Sequence, residues 1–269
     1  MWLWVVPAGL LIGLALGTLG GGGSILTVPA LVYLVGQDAA VATTGSLVVV
    51  GISALMGMVA HARAGRVRFA HGAAFGALGT AGSYAGSRLS AHVPAPVLLS
   101  TFAGLLLVVA VLMTRRERAA QAGPGTGAST RHTTESGAGQ PWSARGSAEV
   151  VLAATGVGLL TGFFGVGGGF AIVPALVLVL RFPMPTAIAT SLLVIAINSA
   201  TALAARLHSG VTLDWPVLLG FTIVAVTGSL LGARLVHRLD PRPLSRAFTV
   251  LLVVVGLYIA AMNVPHLLA

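Results

Sequence analysis

Long apolar runs alternate with short polar stretches from one end of this chain to the other. Most runs approach the roughly 20 residues that an α-helix needs to cross about 30 Å of hydrocarbon. The second and seventh runs are shorter, so a broken or re-entrant helix is expected at each. The pattern predicts an all-α polytopic membrane protein with ten apolar segments, at residues 2–19, 23–36, 40–61, 69–90, 96–113, 148–165, 169–181, 185–207, 215–235 and 243–263.

One long polar stretch interrupts this pattern between the fifth and sixth segments. Residues 115–149 are rich in Gly, Ser, Thr, Pro and Arg, a composition that cannot bury a core. We therefore divide the chain into a first transmembrane repeat at 1–113, a flexible cytoplasmic linker at 114–147 and a second transmembrane repeat at 148–269. The first apolar run lacks a basic start and a small-residue cleavage site, which predicts a retained helix rather than a signal peptide.

Both halves carry the same glycine-rich stretch ending in proline, GTLGGGGSILTVPA at 17–30 and GFFGVGGGFAIVPA at 162–175. Aligning residues 17–65 with 162–210 at a constant offset of 145 gives 16 identities in 49 positions without a gap. With one inserted residue the match continues as far as Arg88 and Arg234. Shared leucines can come from composition alone, but a shared frame of glycine, proline and serine indicates a duplicated unit of about five apolar segments.

The composition narrows the class of protein to which this chain can belong. Hydrophobic residues make up 56% of the chain and charged residues 8%, with a mean hydropathy of +0.97, whereas soluble domains are about a quarter charged. The net charge of +9 comes from fifteen arginines against six acids. These arginines lie between apolar runs rather than on one face, which argues against nucleic acid as a partner and for the lipid bilayer. The absence of cysteine excludes disulfides and thiol chemistry.

The positions of the arginines predict how the halves are oriented. Short cytoplasmic loops are enriched in Arg and Lys. If each half crosses the membrane an odd number of times, 13 arginines lie inside and 2 outside; with an even number the split becomes 9 to 6. The larger asymmetry favours inverted repeats.

The glycine runs are the first candidates for chemistry. Glycine costs about 1 kcal/mol relative to alanine inside a helix, so several in succession predict a break, after which the next helix begins with unpaired N–H groups. Helix N-termini attract anions, and inverted-repeat transporters bind substrate where broken helices meet. The glycines spaced along the first and fourth segments are expected only to allow close helix packing. The proposed substrate contacts at the two breaks are Gly20, Gly22, Gly23, Ser24, Gly165, Gly167, Gly168 and Gly169.

Polar residues elsewhere in the apolar runs extend this candidate site. Ser46 and Ser191 occupy matching positions of the third segments, and Asn198 is an amide within an apolar run, either a substrate contact or a link between helices. Pro29 and Pro174 are predicted helix breaks or simple kinks in the short segments. No Asp or Glu lies in the middle of a segment, which favours an anionic substrate over a cation.

The remaining candidate groups argue against catalysis. The histidines, His61 among them, lie near segment ends, where interfacial positions are expected, and they form no metal-binding constellation. Ser46 has no His, Asp or Lys at its depth to activate it, so an enzyme is not predicted. No cofactor is expected either.

A duplicated unit with GxxGxGGG-like stretches that end in VPAL resembles the sulfite exporter TauE/SafE family. The matching residues are Gly17, Gly20, Gly22, Gly23, Val28, Pro29, Ala30 and Leu31, and again Gly162, Gly165, Gly167, Gly168, Val173, Pro174, Ala175 and Leu176. The resemblance implies export or permeation of sulfite, sulfonates or related small sulfur oxyanions across the bacterial plasma membrane.

Together these patterns predict a multi-pass transporter of a small anion, working by alternating access at a midplane site between the two glycine-rich helix starts. The alternative from another class is an anion channel or an ion-regulated membrane scaffold. The sequence makes no prediction about oligomeric state.

Overall fold

The structure is a computed structural model that describes residues 2–90, 95–121, 144–164, 169–206, 213–236 and 241–263. The regular secondary structure of these residues is all helical, and they contain no strand. The first half contains α1 (Trp2–Leu19), α2 (Gly22–Pro29) with a π-helical turn (Ala30–Leu34), α3 (Ala39–Arg63), α4 (Phe69–Ser90) and α5 (Ala95–Gln121). The second half contains α6 (Ala144–Phe164), α7 (Gly169–Leu178), α8 (Met184–Arg206), α9 (Trp215–Val236) and α10 (Pro241–Asn263).

The ten helices coincide with the ten predicted apolar segments, which confirms the all-α class. The main difference between the predicted segments and the observed helices is at the predicted linker. The fifth helix continues to Gln121 and the sixth begins at Ala144, because the flanking Arg, Glu, Ala and Gln residues favour helix even outside an apolar run. The remainder of the predicted linker, residues 122–143, lies outside the described residues.

By length and composition alone, four helical segments in the described ranges are suited to cross a membrane. They are Val41–Arg63, Met184–Ala204, Trp215–Val236 and Pro243–Ala261. The fourth helix has a similar length but contains several Gly and Ser residues, which lower its hydropathy. The two short helices, of 8 and 10 residues, extend only about 12 and 15 Å.

Helices of one half pack mainly on helices of the other. The first helix packs along α9, and its counterpart α6 packs along α4; α3 packs on α8, and α5 on α10. Every one of these pairings is converted into another, or into itself, when each helix is replaced by its repeat-related partner. The arrangement therefore follows the internal repeat of the sequence.

Contacts along α3 and α8 give the direction of their crossing. A methyl group on Gly51 would lie 3.0 Å from Ser199 Cβ, whereas one on Gly57 would lie 3.3 Å from Leu192 Cδ1. Residue numbers rise along one helix as they fall along the other, so α3 and α8 run in opposite directions.

Glycines allow the closest of these helix contacts. A methyl group on Gly13, Gly17, Gly82 or Gly86 would overlap a backbone carbonyl of the facing helix, in the α1–α9 pair or in the α4–α6 pair. This confirms that the spaced glycines of these segments serve packing.

The two short segments end in the same hydrogen-bonded turn. A residue with positive φ occupies matching positions, Gly36 (φ 79°) in the first half and Arg181 (φ 57°) in the second. The next backbone N–H returns to the carbonyl six residues earlier, from Gln37 N to Leu31 O (3.1 Å) and from Phe182 N to Leu176 O (3.0 Å). This is the pattern of a helix C-cap with a left-handed residue.

Candidate functional site

The first glycine run breaks the chain between α1 and α2. Gly20 has φ 66°, a left-handed conformation that glycine adopts at no steric cost and that ends α1 one residue earlier. Gly21 then caps α2, because Ser24 donates to the Gly21 carbonyl from both its backbone N–H (3.3 Å) and its hydroxyl (2.7 Å). Gly22 and Gly23 therefore begin α2 with N–H groups that have no partner within the helix.

The second predicted break falls at residues 165–168, between the described helices α6, which extends to Phe164, and α7, which starts at Gly169. Three of the predicted contacts in this break, Gly165, Gly167 and Gly168, lie outside the described residues. Gly169 is described and buried, as is every residue of α7 except Leu178.

The two breaks meet inside the protein. A methyl group on Gly21 would overlap the carbonyl of Gly169, and one on Gly169 would overlap Gly21 and the Ser24 hydroxyl. Ser24 and Gly169 are 145 residues apart and so occupy equivalent positions of the repeat. Because these repeat-equivalent residues touch each other, the contact lies where the two halves meet symmetrically.

Helix α8, the third long segment of the second half, lies beside this contact. A methyl group on Gly20 would lie 2.5 Å from the Ser191 hydroxyl and 3.1 Å from Val173 Cγ2. The structure thus brings together Gly20, Gly21, Ser24, Gly169 and Ser191, all of them buried. The contact is also tight, and it leaves no space for an oxyanion between Gly21 and Gly169.

The hydroxyls of Ser46 and Ser191 have matching geometry. Each is buried and donates to a carbonyl three residues earlier in its own helix, Thr43 O and Ile188 O, both at 2.8 Å. A hydroxyl engaged in this way has to release its carbonyl before it donates to an anion.

Asn198 lies further along α8. Its Oδ1 accepts a long hydrogen bond, 3.5 Å, from the Thr80 hydroxyl of α4. Seven residues separate it from Ser191, about 10 Å along the helix. The amide links α8 to α4 in this conformation and is not gathered with the glycine breaks.

The two prolines have different surroundings. Pro29 is exposed and ends α2, and the chain continues as the π-helical turn Ala30–Leu34. Pro174 is buried, and α7 runs through it to Leu178 without interruption. Because Pro174 lies only five residues after the first residue of α7, it removes a single intrahelical N–H donor.

His61 is a residue of this region that sequence reasoning missed. An interfacial position was predicted for His61, and the structure adds that its side chain is fully buried in the protein, with its Nε2 3.2 Å from the Gly17 carbonyl. The last turn of α1 leaves such carbonyls without helical donors, and the imidazole of α3 approaches one of them. A signal was present, because Ser53, Gly57 and His61 recur every fourth residue on one face of α3 and all three contact α1 or α9.

No group of three or more His, Cys, Asp or Glu side chains that could hold a metal ion occurs within the described ranges. The chemistry of the central contact is that of backbone N–H groups, hydroxyls and one imidazole.

The sequence profile of the family described as "Sulfite exporter TauE/SafE" matches residues 5–259, which include both glycine breaks. The chain belongs to this family.

Two bacterial proteins are similar to this chain over nearly their whole length. A "Probable membrane transporter protein" of Xylella fastidiosa (strain 9a5c) is 34% identical over 258 residues, covering 94% of this chain and 93% of that protein. The "Probable membrane transporter protein YunE" of Bacillus subtilis (strain 168) is 28% identical over 263 residues, covering 94% of each chain. No solved structure matches this chain at a significant level. The protein is thus a membrane transporter of the TauE/SafE family.

Proposed function

We propose that this protein carries small sulfur oxyanions, such as sulfite or organosulfonates, out of a bacterial cell across the inner membrane. The observation that carries the proposal is the central contact between the two repeat-related breaks, where Gly21 meets Gly169. Each break ends one helix and begins another, so N–H groups of two helix starts converge on one buried place.

The proposed substrate contacts are the two breaks, Gly20 and Gly22 to Ser24 in the first half and Gly165 and Gly167 to Gly169 in the second. The hydroxyls of Ser46 and Ser191 and the amide of Asn198 are additional donors. Side-chain cations are not needed in such a site, because the positive ends of two helix dipoles attract an anion. The sequence places no carboxylate in the middle of an apolar segment, so nothing there repels it.

Alternating access is the proposed mechanism. In this conformation the breaks touch, which makes it a closed state with respect to the central site. Binding an oxyanion requires α2 and α7 to separate by several ångströms, and rocking of one half against the other around the α3–α8 crossing accomplishes this.

The halves are proposed to be inverted in the membrane. Two observations support this: the arginine distribution along the sequence, and the opposite directions of α3 and α8, which are equivalent helices of the repeat. Reporter fusions at Ala64 and at Pro241 test it. Both fusions are expected to report the cytoplasm, and opposite locations would restore a parallel repeat.

Flux into proteoliposomes tests the substrate class. Purified protein is reconstituted, and uptake of labelled sulfite, methanesulfonate, taurine and sulfate is compared with empty vesicles. Sulfite or a sulfonate is expected to move faster than sulfate, and no flux of any of them would overturn the proposal.

Counterflow separates a carrier from a channel. With unlabelled substrate trapped inside, a carrier transiently accumulates labelled substrate from outside, whereas a pore only equilibrates it. Accumulation is expected, and simple equilibration would favour the channel alternative instead.

A further inference from the structure

The two ends of the α3–α4–α8–α9 cluster, which the repeat relates to each other, carry opposite charge. At one end the helices α4 and α8 begin side by side, which is shown by the packing of Gly72 against Thr190 and Leu193. At the other end α3 and α9 begin side by side, which is shown by the packing of Gly45 against Leu218. We name these ends by the residues that precede the helices.

The arginine mouth consists of Arg63, Arg66, Arg68 and Arg181. Its two loops lie together at the start of α8, because Arg68 N donates to the Thr190 hydroxyl (3.2 Å) and the rings of His71 and Phe182 pack edge to face, with centroids 5.6 Å apart. Arg181 directly precedes Phe182 in the sequence, and Thr190 directly precedes Ser191 of the central contact.

The aspartate mouth consists of Asp38 and Asp214. Asp38 precedes α3, and Asp214 precedes α9, where its Oδ1 accepts from Val217 N at 3.4 Å. With the one-residue insertion of the repeat, Arg68 corresponds to Asp214, whereas Arg181 corresponds to Gly36 and Asp38 to Pro183. The charge is therefore reversed at one pair of equivalent positions, and the other charges lie near the same helix ends.

Helix electrostatics explains only part of the arginine mouth, because Arg63 lies in the last turn of α3, where the helix dipole favours a cation, whereas Arg68 precedes a helix. A helix N-terminus carries a partial positive charge, which favours aspartate and disfavours arginine. Arg68 directly precedes α4, and Arg181 lies three residues before α8 in a left-handed conformation that favours glycine. The aspartates of the opposite mouth lie where the helix dipole favours them, whereas Arg68 lies where the dipole disfavours it.

The geometry of Arg66 points to a ligand. Its Nη1 is buried and has no hydrogen-bond partner among the residues that the structure describes. Its backbone N–H is bonded to His61 O (3.3 Å), so the guanidinium extends from the turn directly after the buried end of α3. An inward guanidinium nitrogen at the mouth is a donor with the charge that binds an oxyanion.

We propose that the arginine mouth is an anion-capture site for the transported oxyanion, and that the aspartate mouth repels the same anion. This inference rests on the proposed function and adds to it the side from which substrate is loaded. The clustered arginines raise the local anion concentration and hence the rate of capture, an effect that salt screens. Since arginine-rich loops lie in the cytoplasm, loading from this side is loading for export.

Transport measured separately from the two sides tests this inference. Inside-out and right-side-out membrane vesicles present opposite mouths to labelled sulfite, and their orientation is verified with Ala64→Cys and an impermeant maleimide, in a chain that has no other cysteine. The wild type is expected to have the lower KM from the arginine side. Arg66→Gln with Arg68→Gln is expected to raise that KM about tenfold, with Vmax and the opposite KM changed less than twofold.

The matched control is Arg115→Gln with Arg118→Gln, which removes the same charge from exposed positions at the end of α5. It is expected to leave both KM values unchanged. Raising the ionic strength is expected to raise the wild-type KM from the arginine side only. If Arg66→Gln lowers the folded yield, the same KM measurements are made with Arg68→Gln alone, because Arg68 is exposed and its replacement is not expected to disturb folding.

A charge exchange gives the sharpest result. Arg68→Asp with Asp214→Arg is expected to abolish or reverse the difference between the sides. The inference is overturned if the arginine variants alter both sides equally, if they alter neither, or if the α5 control has the same effect; in each case the arginines serve only topology or folding. Absence of any wild-type flux would instead overturn the proposed function, and this inference with it.

Discussion

The two short helices share a backbone and differ in chemistry. Helix α2 has two buried hydroxyls, Ser24 and Thr27, where α7 has Gly169 and Ile172. Both nevertheless end in the same turn with a left-handed residue. The repeat has therefore kept the ends of the short helices, while these side-chain hydroxyls are present in one half only. An anion held between them would receive hydroxyl donors from the first half and mainly backbone N–H donors from the second.

The largest expected effect comes from closing the contact between the breaks. Gly21→Ala places a methyl group inside the Gly169 carbonyl, and we expect a loss of about 3 kcal/mol or more in stability, together with loss of transport. Gly169→Ala should have a similar effect because it fills the same contact. Thermal unfolding in detergent and sulfite flux measure the two outcomes.

Gly104→Ala is the control for these variants, because a methyl group at Gly104 has no neighbour within 4 Å. It should raise stability slightly, by roughly 0.5–1 kcal/mol, as alanine is the better helix former. Wild-type stability in Gly21→Ala would contradict the close contact between the breaks.

A second prediction concerns His61, which supports the first break from α3. His61→Ala leaves the Gly17 carbonyl buried without the imidazole, and we expect a cost of about 2 kcal/mol and at least a severalfold loss of flux. His71→Ala is the comparison, since His71 is only half-buried. Equal effects of the two variants would show that the buried contact at Gly17 has no special role.

Ser24→Ala tests the difference between α2 and α7 directly. It removes the hydroxyl that bonds the Gly21 carbonyl, so α2 acquires the apolar character of α7, at a cost of about 1 kcal/mol. If Ser24 also contacts substrate, the KM for sulfite rises more than this change in stability explains. Thr201→Ala removes an exposed hydroxyl with the same kind of bond, to Ile197 O, and should change neither quantity.

The smallest effect is expected at the ends of the short helices. Arg181→Gly relieves a left-handed arginine and should raise stability by about 1 kcal/mol, whereas Gly36→Ala should lower it by a similar amount. The arginine-mouth proposal adds that Arg181→Gly raises the KM from the arginine side. If Arg181→Gly is more stable but captures the anion less well, Arg181 serves function and not stability. If its stability equals that of the wild type, the left-handed conformation of Arg181 stores no strain.

Much of the fold was predictable because its signals are local or repeated. Apolar length gave the ten helices, and the glycine frame gave the two breaks at Gly20 to Gly23 and before Gly169. Helix ends near the linker were predicted less well, because α5 and α6 continue into polar sequence that has good helix propensity. The repeat also indicated which residues are equivalent, such as Ser46 and Ser191.

Contacts across the site were beyond prediction. Nothing in the sequence states that Gly21 meets Gly169, that Asn198 contacts α4, or that His61 is buried at Gly17. Each depends on which helix faces which, and a histidine one turn from Arg63 has the sequence features of an interfacial residue.

By itself, the sequence determined the membrane class, the duplication, the two breaks and the sign of the charge at each loop. These follow from hydropathy, glycine propensity and composition, which are properties of short segments. Only the tertiary structure decided that equivalent breaks touch at one central place and that the arginines of two distant loops share one mouth. Those facts arise from helix packing between the halves, where close backbone approach at glycine selects the partner of each helix.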